Sequence, residues 1–209
     1  DGGGDSDEAG IEVVVALDRL GVAYTGADRA FYEPTREAMK LAAHAWTEPG
    51  AHNAAAAGVA SIEHGFDMTD ADLLLAKKNG VALVGTEFLA NGDTTAYHRQ
   101  WVDRLRRAYK AGVLLVYGTD AIDFKPGITR GQDAITGIDP WVEAGVPAPA
   151  ILRAMTTNGT RLLGVDDVRG TLKVRQYADL IATPDNPLTN IQTLKQVSFV
   201  MQNGKVVER

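Results

Sequence analysis

The chain has 209 residues, 45% of them hydrophobic and 23% charged, with a formal net charge of −6 and a pI near 5.2. Such a chain can bury a real core, with room for one domain or somewhat more. Its acidic balance argues against a nucleic-acid partner, which needs a basic patch to displace counterions. With no cysteine, disulfides and thiolate metal sites are excluded, so any metal must be held by histidine and carboxylate. No apolar run reaches the length of a membrane span, and a membrane partner is not expected. The chain opens on Asp1 and not Met, without a basic and then apolar leader. Residues upstream of Asp1 and a cytoplasmic location are therefore the expectation.

Residues 1–10, DGGGDSDEAG, are acidic and glycine-rich. They read as a loop or frayed terminus, because no strand precedes them and no Gly-Lys-Ser/Thr follows. Residues 11–20 carry apolar positions at helical spacing, stopped by Gly21, and residues 21–36 have no clear period. From Met39 the rhythm becomes regular. A short apolar segment at 40–46 is followed by an alanine-rich helix at 51–57, closed by Gly58, and a strand at 59–63. Thr69 caps the next helix, with Asp72 favouring its N-terminal dipole; it runs to Lys78 and ends at Asn79-Gly80. A buried strand at 81–85, a long polar helix at 96–110 ended by Gly112, and a strand at 113–117 complete the series. This alternation predicts a parallel sheet or barrel with helices outside.

A loop rich in Gly, Asp and Pro follows Asp120, and helices are expected over 139–144 and 148–163. The tail changes character. Segments 171–174, 178–183 and 197–207 read as short antiparallel strands, with Asn203-Gly204 as a hairpin turn.

Three strand endings carry the chemistry: Leu-Ala-Ala-His44, Ser-Ile-Glu-His64 and Tyr-Gly-Thr-Asp120. In a parallel barrel the C-terminal strand ends face one another, so two imidazoles and a carboxylate delivered there begin a hydrolytic metal site. The donor set suits a divalent metal, zinc first, with iron or manganese also accommodated.

The fragments HAWTEPGAHNAAAAGVASIEHG, YGTDA, AMTTNGTRLLGV, GTLKVRQYADLIATPDNPLTNI and VMQNGKVV, in this order and spacing, resemble the second half of an amidohydrolase-superfamily enzyme. The likeness is to its imidazolonepropionase-like and metal-dependent prolidase-like branch and runs from about Leu41 to the C-terminus. It implies an α/β fold: a partial (β/α)8 TIM-type barrel, about strands 5–8, with a small C-terminal β segment of the flanking domain. The domains implied are 1–40, of uncertain origin, 41–165 for the partial barrel and 166–209 for the β segment. The stretch LGVAYTGADRAFYEPTREAMK within the first of these also has a faint likeness to ATP-grasp ligases.

By resemblance His44 matches the fifth-strand metal ligand, His64 the sixth-strand ligand and Asp120 the eighth-strand ligand. The implied activity is hydrolysis of a C–N bond (amide, lactam or dipeptide-like) in a small-molecule substrate by a metal-activated water. Asp120 and His64 are the implied catalytic residues: Asp120 takes and returns the proton, and His64 polarises the carbonyl or binds a second metal. The chain departs from the family in having no His-x-His, and Lys40 stands too close to His44 to be the fourth-strand ligand. Arg175-Gln176 replaces the family's usual Gly-Lys, a change expected to disturb a turn and not the chemistry. A second reading is therefore carried: an incomplete, non-catalytic half barrel that binds a ligand or self-associates through open sheet edges as a homo-oligomer.

The remaining polar residues read more simply. Glu63 is expected to point away from the site, His52 and His98 to face solvent, and Asp179 to tie the β segment structurally. Arg104, Arg106 and Arg107 are read as one solvated helix face, and Trp46 and Glu87 as the mouth of the pocket.

Overall fold

The computed structural model describes residues 40–87, 95–120 and 126–207; the acidic stretch 1–10, the helix expected over 11–20 and the segment 21–39 lie outside them. The described residues form an α/β structure in two compact units, one of residues 40–85 with 95–115, the other of residues 86–87 with 116–207.

The first unit is built from β1 (Ala42–Ala45), α1 (Glu48–Ala57), β2 (Ser61–His64), α2 (Asp70–Asn79), β3 (Ala82–Gly85) and α3 (Ala96–Ala111), and leads into β4 (Leu115–Tyr117). The sheet runs in the order β1-β2-β3-β4, and β1, β2 and β3 pair in parallel. Ala43, Ile62 and Leu83 stand in register across three strands and are fully buried. They mark the face on which the helices pack, with α1 against β1 and β2 and α2 against β3. Strand alternation puts Ala42, His44, Ser61, Glu63, Ala82 and Val84 on the opposite face.

Helix α1 begins at Glu48, earlier than expected, because Pro49 suits the first turn, where its missing N–H is no loss. In α2 the Thr69 hydroxyl accepts from the Asp72 amide while the Asp72 carboxylate accepts from the Thr69 amide, a reciprocal cap. Helix α3 buries Trp101, Arg104, Leu105 and Ala108 at helical spacing. The reading of Arg104 as solvated is thus corrected: its side chain is fully buried, and its guanidinium lies 4.9 Å from the Trp101 ring centre. Arg107 is likewise engaged, donating to the Met68 carbonyl and to Asp70 and Asp103.

The second unit contains α4 (Arg130–Thr136), α5 (Ile138–Glu143), α6 (Ala148–Met155), α7 (Thr157–Leu163), β5 (Leu180–Ala182), a 3-10 turn (Ile191–Gln196), β6 (Phe199–Gln202) and β7 (Lys205–Val206). Helix α4 lies where a loop is expected and opens on a reciprocal cap between Thr129 and Gln132. The single helix expected over 148–163 is broken at Thr156, whose hydroxyl donates to the Leu152 carbonyl at 2.6 Å while its own backbone leaves helical geometry. Strands β5-β6-β7 form an antiparallel sheet. Asn203 and Gly204, at φ 51° and 75°, make the hairpin turn that their sequence predicts.

Residues 171–174 are not a strand. The Gln176 side chain accepts from both the amide and the hydroxyl of Thr171 and donates to the carbonyls of Asp166 and Asp167. This local side-chain network replaces a ladder, and it leaves Leu172 and Val174 exposed. No helix among the described residues is long and apolar enough to cross a membrane.

Candidate metal centre

His44 projects from β1 on the face opposite the helices. His64 ends β2, and strict alternation would put its ring on the helix-packed side with Ile62. It does not go there. His64 has φ 68° and Gly65 φ 58°, and two consecutive left-handed residues turn the chain sharply at the strand end. The Gly65 amide donates to the carbonyls of Ala45 and Glu63, which locks the turn against β1. As a result His64 Nε2 lies 3.1 Å from His44 Nδ1, with ring centres 4.4 Å apart.

A left-handed residue other than glycine costs about 1–2 kcal/mol, and such strain concentrates where geometry serves function. Gly65 has no substitute here, since a Cβ would stand 2.7 Å from the Met68 sulfur and 2.8 Å from Leu83 Cδ1.

Two imidazole nitrogens sharing a tetrahedral zinc at about 2.0–2.1 Å each would stand roughly 3.3 Å apart. The 3.1 Å separation of His44 and His64 fits a shared divalent ion, and both donors are of the right type. His64 is buried and His44 half-buried.

Glu63 corrects the sequence reading. Its Cα pairs with that of His44 in the β1–β2 register, so both side chains stand on one face of the sheet. Ser61 Oγ donates to its carboxylate at 2.6 Å. The sequence signal was the glycine after His64, which marks a turn that redirects the histidine and leaves the glutamate in place.

Asp120 belongs to the second unit. It closes the Gly118-Thr119-Asp120 turn after β4, exposed, with φ 41°. Like His64, it is a non-glycine residue held left-handed at a strand's C-terminal side.

Glu87 and Asp179 take structural roles, and His98 is less exposed than expected. Glu87 is buried and accepts from Trp141 Nε1 at 2.8 Å, a hydrogen-bonded core position and not a pocket mouth. His98 is half-buried in the first turn of α3. Asp179 accepts from the Asn203 amide at 2.7 Å and from Arg169, tying β5 to the β6–β7 turn. The amide bond and the guanidinium hold its carboxyl below the usual range.

Glu48, His52 and Asp72 bring one ligand atom each within 4.8 Å of one another. Asp72 is already engaged there: His52 Nδ1 lies 2.8 Å from one carboxylate oxygen, and Thr69 donates to the other. Burial pushes the Asp72 pKa up, but the Thr69 and His52 hydrogen bonds outweigh burial and hold it below its ordinary value. His52 is half exposed, and the group ties α1 to α2.

A family model described as the amidohydrolase family matches residues 18–207. Among solved structures, a Xaa-Pro dipeptidase with methionine bound in its active site is 32% identical over 84% of this chain and 46% of its own, with a TM-score of 0.71. A putative prolidase from Bifidobacterium longum is 26% identical over 83% of this chain and 48% of its own, at 0.66. The ochratoxinase of A. niger is 28% identical over 82% of this chain and 42% of its own, at 0.66. The chain thus spans slightly under half the length of these structures. No curated protein matches it.

Proposed function

The chain belongs to the amidohydrolase family, and on that premise we propose that it forms the metal-binding part of a hydrolase cleaving a C–N bond in a small, dipeptide-like substrate. The observation that carries this reading is the imidazole pair, held 3.1 Å apart by a strained strand end. The dipeptide class is favoured over other amides and lactams by the likeness to a Xaa-Pro dipeptidase and a putative prolidase.

His44 and His64 would hold a divalent ion, zinc before iron or manganese. When bound, such an ion would lower the pKa of a coordinated water to about 7 and so make water nucleophilic near neutral pH. The chain's own residues do the rest. The turn at His64-Gly65 holds His64 Nε2 3.1 Å from His44 Nδ1. Glu63, on the same face as His44, adds negative charge beside a cation and favours its binding. By the resemblance to the family alone, Asp120 is assigned as the proton acceptor that would return the proton to the leaving nitrogen. The sequence contains no His-x-His, so the complete set of family ligands is not drawn from these residues alone.

Elemental analysis of protein purified without chelator, paired with His64→Ala, tests the reading. Retained divalent metal that His64→Ala loses at least tenfold supports it, together with hydrolysis of Xaa-Pro dipeptides that Asp120→Ala abolishes. Metal content unchanged by His64→Ala, or turnover intact in Asp120→Ala, would refute it.

A further inference from the structure

Four aromatic rings gather beside His64. Trp46 follows β1, Phe66 follows β2, and Tyr97 and Trp101 open α3, so connections after three successive strands each bring a ring to the end of the sheet where the histidines stand. The Trp46 ring centre is 5.2 Å from that of His64, with the planes inclined by 31°. Tyr97 lies 6.2 Å from Trp46 and nearly parallel to it, at 17°. Phe66 is 4.7 Å from Tyr97, 4.9 Å from Trp101 and 5.6 Å from Trp46. Trp101 stands edge-on to both Trp46 and Tyr97.

The cluster has a firm back and an accessible front. Trp101 is buried with the Arg104 guanidinium packed on it, whereas Trp46, Phe66 and Tyr97 are only half-buried. The loops carrying Trp46 and Phe66 are tied together, the Asp67 amide donating to the Trp46 carbonyl at 3.0 Å. Three of the four rings remain partly exposed, and the nearest of them, Trp46, is 5.2 Å from His64.

We propose that this wall is the specificity surface of the centre and receives an aromatic side chain of the substrate. The proposal rests on the functional reading above and deepens it by naming the substrate class. Ring faces attract the edges and offset faces of other rings at centre distances of 4.5–7 Å, the spacing these four already adopt among themselves. An aromatic group laid on the wall leaves water along with the exposed parts of Trp46, Phe66 and Tyr97. A strongly hydrated group would lose its water there for apolar contact only.

Trp46 also packs on His64, so replacing it would mix two effects. Tyr97 and Phe66 make the cleaner test. Binding of N-acetylphenylalaninamide and of N-acetylalaninamide to the metal-loaded chain is measured by calorimetry, with the wild type, Tyr97→Ala and Phe66→Leu compared. Circular dichroism and metal content serve as checks on folding and on the centre.

The phenyl ligand is expected to bind at least tenfold more tightly, about 1.4 kcal/mol, with Tyr97→Ala removing most of the difference and leaving metal content unchanged. Equal binding of the two ligands overturns the proposal, as does a preference that survives in both variants. Hydrolysis of Phe-Pro and Ala-Pro, measured in parallel, separates the two levels. Metal content that His64→Ala leaves unchanged refutes the functional reading, while the binding comparison still decides the wall. Turnover of both at equal kcat/KM refutes the wall alone.

Discussion

Arg175 is one of the non-glycine residues held at positive φ, at 75°. The resemblance to the amidohydrolase family puts glycine at this place. The turn survives the exchange, since the Gln176 amide still donates to the Lys173 carbonyl at 3.2 Å, but the arginine pays in backbone strain. Arg175→Gly should therefore stabilise the protein by about 0.5–1 kcal/mol, the relief of a left-handed side chain less the added freedom of the unfolded glycine. Urea unfolding would register this as a higher midpoint at unchanged slope, and a lower midpoint would refute it. Gly65→Ala acts in the opposite sense, because it meets strain and close contacts with Met68 and Leu83 together. It should cost about 2 kcal/mol or more and weaken metal retention in the same protein, since the turn that swings His64 toward His44 is lost.

At the scale of elements, the tie between α1 and α2 makes a pH-dependent prediction. The folded Asp72 carboxyl titrates below its ordinary value because Thr69 and His52 hydrogen bonds outweigh its burial. A depressed folded pKa stabilises the fold above the unfolded value of about 4, and that contribution is lost as pH falls through the lower folded value. Acid unfolding followed by circular dichroism should show this loss below about pH 4. Asp72→Asn should flatten that part of the profile and lower stability at pH 7; an unchanged profile would contradict the assignment. Thr69→Ala, which removes the cap itself, should cost about 1 kcal/mol.

These same elements show what the sequence could and could not reveal. The α2 cap was legible because Thr69 and Asp72 stand three apart ahead of an apolar run. The cap of α4, Thr129 with Gln132, has the same form but sits in a stretch whose glycines and prolines obscure it. Segment 171–174 reads as a strand by composition, and only the Gln176 side chain explains why it is not. At the centre, His44 and His64 were legible as strand endings. Gly65 marks the left-handed turn that aims His64 and leaves Glu63 beside His44, but the bond of its amide to the Ala45 carbonyl of β1, which holds the turn, is not written in the local sequence.

For the whole molecule, the two units supply a crossed test. His44 and His64 lie in the first unit and Arg175 in the second, and chains of more than one unit need not unfold in a single step. An ion that binds only the folded state stabilises it by about 2.7 kcal/mol at a hundredfold excess over Kd. For a unit of this size that is a shift on the order of 10 °C. Calorimetry with and without zinc should thus raise a transition that His64→Ala renders insensitive to the ion, while Arg175→Gly raises a different one. Were a single transition to respond to both, the units would be unfolding as one body, and strain relieved at Arg175 would add to the stability of the fold that holds the imidazoles. Were no transition to respond to zinc, the imidazole pair would be a hydrogen bond and nothing more, and the strain at His64 would need another cause.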